Sequence, residues 1–220
     1  KEVEIKLHTV TYVQVKNWLY NEWEDTNRAL VDRLGDGQIA YTHMRDMGSE
    51  ELNEFLKDMH TRTLGKKAII IDLRYNNGGN VHNEVLEFLS QKAHYQWAYR
   101  DFPSNSHPNV TPGDIPIIAL VNERSLSDAE VTSNGIQTLG LATIVGTETY
   151  RWIIFTSGTT LLDGSYLRLP AWGCYSLDGK DLESTGVKPD IYVKNTFEDR
   201  LKGRDPQLER AIEEALKRIK

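Results

Sequence analysis

Cysteine is nearly absent: Cys174 is the only one in 220 residues. That excludes an internal disulfide and any cysteine-based metal cluster. The six histidines are scattered, with no H-x-x-x-H pair, so a zinc site finds no support and neither metal nor cofactor is expected. No basic stripe is present either. Lys and Arg number 26 against 32 Asp and Glu, a formal net charge of -6, which argues against nucleic acid as a main partner. No apolar run approaches the roughly 18–20 residues a membrane-spanning helix needs. Internal repeats and low-complexity tracts are also missing. What remains, 39% hydrophobic and 26% charged residues, is the composition of an ordinary soluble globular chain, long enough for one large domain or two small ones.

The opening segment KEVEIKL is neither a signal peptide nor an initiator sequence. Lys1 stands where Met would be, which suggests a chain that starts mid-protein. Residues 2–7 alternate charged and apolar side chains as a strand does, and Val15, Trp18, Leu19, Trp23, Leu30, Val31 and Leu34 recur at helical spacing over 13–34. QIAYTHM reads as a strand and 49–60 as a helix.

KAIIIDLR (67–74) and PIIALV (116–121) are apolar on both faces, and each leads through a polar loop into a helix, the second over roughly 127–139. Strands without alternation are covered on both sides, so the fold class is α/β, with parallel buried strands between helices. In the second half, Asp163-Gly164 and Asp178-Gly179 sit between strand-like flanks and signal hairpins. The tract 102–114, rich in Pro, Ser and Asn, reads as a mobile surface loop. DPQLERAIEEALKRIK is a helix with clear ends: Asp205 caps it, Pro206 suits its first turn, and Lys217, Arg218 and Lys220 sit at the negative end of its dipole.

Ligands of parallel α/β sheets gather at the carboxyl ends of the strands. Two loops hold that place, Asn76-Asn77-Gly78-Gly79-Asn80 and Glu123–Ser127. Paired glycines let the backbone take positive φ and present N–H groups. If Ser127 attacked a carbonyl, the oxyanion would find donors in the N–H of Asp128 and one from Gly78 or Gly79. The bland readings stand beside this one: a double glycine is commonly just a turn, and Ser127-Asp128-Ala129-Glu130 is also the S-x-x-E capping box.

KAIIIDLRYNNGGNV followed at a distance by IPIIALVNERSLSDAEV, then ATIVGTETY, DGSYLRLP and LESTGVKPDIYV, resembles the serine peptidase family of the C-terminal processing (tail-specific) proteases and the tricorn protease, over about residues 1–195. The resemblance implies a crotonase/ClpP-like α/β core, with Ser127 as the catalytic serine and Gly78, Gly79 and Asp128 at the oxyanion hole. Tail-specific members carry a lysine base downstream of the serine. That position holds Trp152 here, and the neighbouring Arg151 stays protonated and makes a poor base. Tricorn-type members instead use a histidine as general base with a further Ser and Glu around it, and the glutamate best matches Glu183.

In those chains the histidine lies upstream, in a helical subdomain before a PDZ-like domain. The expected organisation is therefore an opening strand and helix over 1–36, following a PDZ-like domain that lies outside this chain, and a catalytic core over 37–220. The general base is expected from that missing segment. His82, opening the helix after the glycine loop, and His43, on the preceding strand, are the substitutes within the chain. The expected activity is that of a serine endopeptidase working through a Ser127 acyl-enzyme. A non-catalytic peptide-binding module and a crotonase-like acyl-CoA enzyme are the alternatives. Expected partners are a peptide or unfolded polypeptide and the chain's own helical and PDZ-like domains. Homo-oligomerisation is left open, and Asp101 is offered as tuning a pocket toward basic side chains.

Overall fold

Apolar runs set the centre of the molecule. In the computed structural model, which describes residues 3, 5, 6, 8–110 and 112–219, five strands form one all-parallel sheet. They are β1 (Ile39–His43), β2 (Ala68–Asp72), β5 (Ile117–Val121), β6 (Thr143–Gly146) and β9 (Ile191–Tyr192), in the spatial order β1-β2-β5-β6-β9. β1, β2 and β5 are buried along their whole length, the signature of a sheet covered on both faces. Two antiparallel hairpins stand apart from it: β3 (Tyr95–Trp97) with β4 (Asn105–His107), and β7 (Ile154–Thr160) with β8 (Tyr166–Gly173).

Helices close both faces. Ile69, Ile71 and Leu73 pack with Phe55 and Met59 of α2 (Ser49–Arg62), Val85, Phe88 and Leu89 of α3 (His82–Leu89), and Ala129 and Ile136 of α4 (Asp128–Thr138). Ala68, Ile70, Ile118 and Leu120 point the other way, toward Val31 of α1 (Tyr12–Leu34) and Leu208, Ala211, Ile212 and Ala215 of α7 (Pro206–Arg218). Two short helices, α5 (Leu182–Thr185) and α6 (Phe197–Leu201), precede α7 in the chain. The result is the expected α/β fold of parallel buried strands covered by helices; of the two hairpins, β7–β8 falls in the second half as expected and β3–β4 in the first. Asp205 accepts from Leu208 N–H at 3.0 Å, Pro206 opens the first turn of α7, and Lys217 and Arg218 occupy the last, as expected, while Lys220 lies outside the described residues.

Arg74 is the largest side chain buried without exposure to speak of. Its Nη2 meets Asp72 Oδ2 at 2.7 Å, its Nε reaches the same carboxylate at 2.9 and 3.1 Å, and its Nη1 bonds both oxygens of Asp205 at 2.8 Å. Tyr41 O–H adds a bond to Asp72 at 2.9 Å. Burial by itself pushes the Asp72 carboxyl up, but the adjoining guanidinium outweighs it and holds Asp72 below the usual carboxylate range. The Asp-Leu-Arg of β2 and the distant Asp-Pro-Gln-Leu are thus two halves of one buried contact.

Three expectations need revision. The strand expected over 2–7 lies in part outside the described residues, and Val3, Ile5 and Lys6 belong to no strand. The tract 102–114 is not structureless, because Asn105–His107 pairs with Tyr95–Trp97. Asp163-Gly164 turns a true hairpin, whereas Asp178-Gly179 makes only a tight turn beside an isolated bridge between Tyr175 and Asp181.

Candidate active site

The carboxyl ends of β2, β5 and β6 converge on a cleft of about 570 Å³ lined by Gly78, Gly79, Ser127, Trp152, Arg168 and Glu183, among others. The motif residues after β2 and β5 bind these two loops to each other. Asn122 Oδ1 accepts from Tyr75 N–H at 3.2 Å, Ser125 Oγ donates to Leu73 C=O at 2.8 Å, and Leu126 N–H donates to Asn76 C=O at 3.0 Å. Buried Asn76 braces the glycine loop, with Nδ2 on Met44 C=O at 2.7 Å and Oδ1 accepting from Gly78 N–H at 2.8 Å.

Both glycines are required by close approach. A Cβ on Gly78, at φ +77°, would stand 2.7 Å from Ser127 Cβ and 3.2 Å from Asp128 N. One on Gly79 would stand 2.1 Å from Met47 O. Because Gly78 N–H is spent on Asn76, the residues of these two loops bordering the cleft whose N–H has no described acceptor are Gly79 and Asp128. Of the two glycines, Gly79 has the uncommitted N–H, and Gly78 is the one whose missing side chain leaves room beside Ser127.

Ser127 takes φ 52° and ψ -113°, a conformation that costs a non-glycine residue of order 1–3 kcal/mol. Arg151 at φ 72° and Tyr75 at φ 60° are strained likewise in the neighbouring loops. The compensation comes from Glu130, fully buried in the first turn of α4. Its carboxylate accepts from the N–H groups of Ser127 (3.1 Å), Arg151 (2.8 Å) and Trp152 (2.8 Å) and from the Thr149 hydroxyl. It thus pins two of the three strained residues at once. The S-x-x-E motif forms a capping box in which Glu130 holds the backbone of Ser127. The Glu130 N–H that faces the Ser127 side chain bonds Ser127 C=O at 2.9 Å, and the hydroxyl has no described hydrogen bond of its own. Glu130→Gln replaces one acceptor oxygen by a donor facing buried donors. It is expected to destabilise the protein by about 2–4 kcal/mol in urea titration; a loss below about 1 kcal/mol would contradict this account.

The histidines fall elsewhere. His43 is buried with both nitrogens engaged, Nδ1 with Tyr20 O–H and Nε2 with Arg74 C=O, each at 2.8 Å. Burial lowers its pKa, and the nearby Asp72 only partly opposes this. His82 Nδ1 pairs with Asp128 Oδ1, while Asp128 Oδ2 accepts from the N–H groups of Val81 and His82. No described hydrogen bond joins either histidine to Ser127. Glu183 lines the Ser127 cleft, half-buried, and its carboxylate makes no described hydrogen bond. Asp101 lies exposed near the β3–β4 hairpin and lines no part of this cleft. Sequence reasoning missed Arg168 as a wall of the cleft and Glu130 as a four-bond latch. Their partners are set by tertiary folding, and only the S-x-x-E spacing hinted at the second.

Residues 37–193 match the family model Peptidase family S41, and the chain belongs to that family of serine-type peptidases. Within it the chain is similar to tricorn proteases. It is 31% identical over 204 residues to the tricorn protease of Thermoplasma acidophilum, covering 91% of this chain and 19% of that protein. It is likewise 31% identical to tricorn protease homolog 1 of Streptomyces coelicolor, covering 90% of this chain and 18% of that protein. A crystal structure of the tricorn protease superposes with a TM-score of 0.83 at 31% identity, over 91% of this chain and 20% of that one. The photosystem II D1 C-terminal processing protease shares the fold, with a TM-score of 0.57 at 19% identity, over 71% of this chain and 42% of that one. The chain thus spans about a fifth of the length of the tricorn relatives.

Proposed function

We propose that this domain is a serine endopeptidase acting on peptides or unfolded polypeptides. Ser127 Oγ attacks the peptide carbonyl, its proton passes to a general base and then to the leaving amine, and water resolves the acyl-enzyme. The N–H groups of Gly79 and Asp128 receive the oxyanion, in the space that Gly78 keeps open. Glu183 stands in the same cleft to orient the base. In this reading the base is a histidine contributed by polypeptide outside residues 1–220, in a helical segment upstream of a PDZ-like domain. His82 serves instead to hold Asp128 in place. The observation that carries the proposal is the strained Ser127 backbone at the start of α4, in one cleft with Gly78 and Gly79.

The test is acylation by a fluorophosphonate probe. Labelling is expected in the full polypeptide, lost in Ser127→Ala, and slower by orders of magnitude in residues 1–220 alone, where only binding and the oxyanion donors remain. Rapid Ser127-dependent peptide turnover by residues 1–220 alone would overturn the external base. A second reading, a peptide-binding module without turnover, is favoured by the lack of any described histidine bond to Ser127. Absence of Ser127 labelling in the full polypeptide would select it.

A further inference from the structure

Arg168 lies on β8 across from Gly158 of β7, and its Nε donates to Thr156 Oγ1 at 2.6 Å. That bond is its one described polar contact, so the stem is fixed against β7 while the two terminal nitrogens stay unspent. The 570 Å³ cleft is joined by a smaller one of about 260 Å³, and Gly79, Ser127, Ile154, Thr156 and Arg168 border both. Among the described residues, Arg168 is the only lysine or arginine lining either cleft. Leu126, Trp152, Ile154 and Pro170 give the larger cleft an apolar share of its lining.

The acidic groups of the two clefts are committed or separate. The Asp128 carboxylate is taken up by Val81, His82 and the His82 ring, and Glu183 forms no ion pair with Arg168 among the described residues. An unpaired guanidinium held by its Nε presents its remaining donors as a fork, which matches a carboxylate in geometry and charge.

We propose that Arg168 binds a carboxylate of the substrate beside the bond that Ser127 attacks. The domain then selects peptides carrying an acidic side chain, or a chain-terminal carboxylate, at that position. This rests on Ser127 being the nucleophile, yet it can be measured without turnover. The group recognised is the same in both cases; the two sources differ in where the peptide chain ends. The role is one of specificity: Arg168 decides which peptides settle over Ser127 and takes no part in proton transfer.

The experiment uses Ser127→Ala protein and fluorescence anisotropy with labelled peptides of one apolar core sequence. One peptide ends in a free carboxylate, one in an amide, and one in an amide with an internal Gln replaced by Glu. A carboxylate peptide is expected to bind about tenfold more tightly than its neutral counterpart, ~1.4 kcal/mol. The preference should fall to within about twofold in Arg168→Gln and survive in part in Arg168→Lys, since a point charge replaces the fork. Which of the two carboxylate peptides carries the preference identifies the source.

Equal binding of charged and neutral peptides, no detectable binding of any, or an unchanged preference in Arg168→Gln would each overturn the proposal. Arg168 is exposed, so a matching melting curve for Arg168→Gln controls for folding. Failure of fluorophosphonate labelling at Ser127 would instead strike the peptidase reading and leave the anisotropy result standing.

Discussion

Arg74→Ala is expected to lower the unfolding free energy by about 3–5 kcal/mol, as for any buried ion pair from which one partner is removed. Asp72 is fully buried, and Asp205 has bonded both its oxygens to Arg74 at 2.8 Å. Removing the guanidinium therefore leaves one carboxylate with no access to water and a second without its main partner. Domains of this kind hold only about 5–15 kcal/mol in total, so urea titration should show a large drop in midpoint. Asp72→Asn in the Arg74→Ala background should recover part of the loss, because the uncompensated charge is what costs most. A loss under about 1 kcal/mol, or no recovery in the double variant, would mean that the contact is structurally incidental.

Gly78→Ala is expected to slow Ser127 acylation by about 10²–10³-fold, the range seen when one oxyanion donor is lost, while leaving the fold intact. The added methyl would stand 2.7 Å from Ser127 Cβ and 3.2 Å from Asp128 N, in the space that the proposed reaction gives to the carbonyl oxygen. It would also be strained by φ +77°. Fluorophosphonate labelling kinetics read the first effect and thermal denaturation the second. Labelling within a few-fold of the wild-type rate would place the oxyanion elsewhere.

How far the chain could be read before folding varied with the distance of the partners. β2 and β5 were legible because burial on both sides leaves a continuous apolar run, and α7 because its cap, its Pro206 and its basic end all lie within its own sequence. Ser127 and the glycine pair were legible as a motif, since loops at the carboxyl ends of parallel strands have little freedom in where they meet. That Gly79 rather than Gly78 keeps an uncommitted N–H was not, because it depends on Asn76 Oδ1 turning back to take Gly78 N–H. The reach of Glu130 to residues 149–152 was likewise invisible, since S-x-x-E specifies only a contact three residues away. Arg168 belongs to a hairpin whose docking over the cleft no local pattern encodes.

The Arg74–Asp205 contact joins residues 131 positions apart in sequence. This bears on the order in which the molecule is built. A chain made from its N-terminus completes β1, β2 and β5 while Arg74 still lacks the carboxylate that faces it from α7. The sheet face that α7 covers also remains open, with Ile70, Ile118 and Leu120 uncovered. Contacts of such long range are the slow ones to form. Until residues 205–215 arrive, Arg74 has only Asp72 as a carboxylate partner; their arrival completes the ion-pair cluster and covers that face of the sheet.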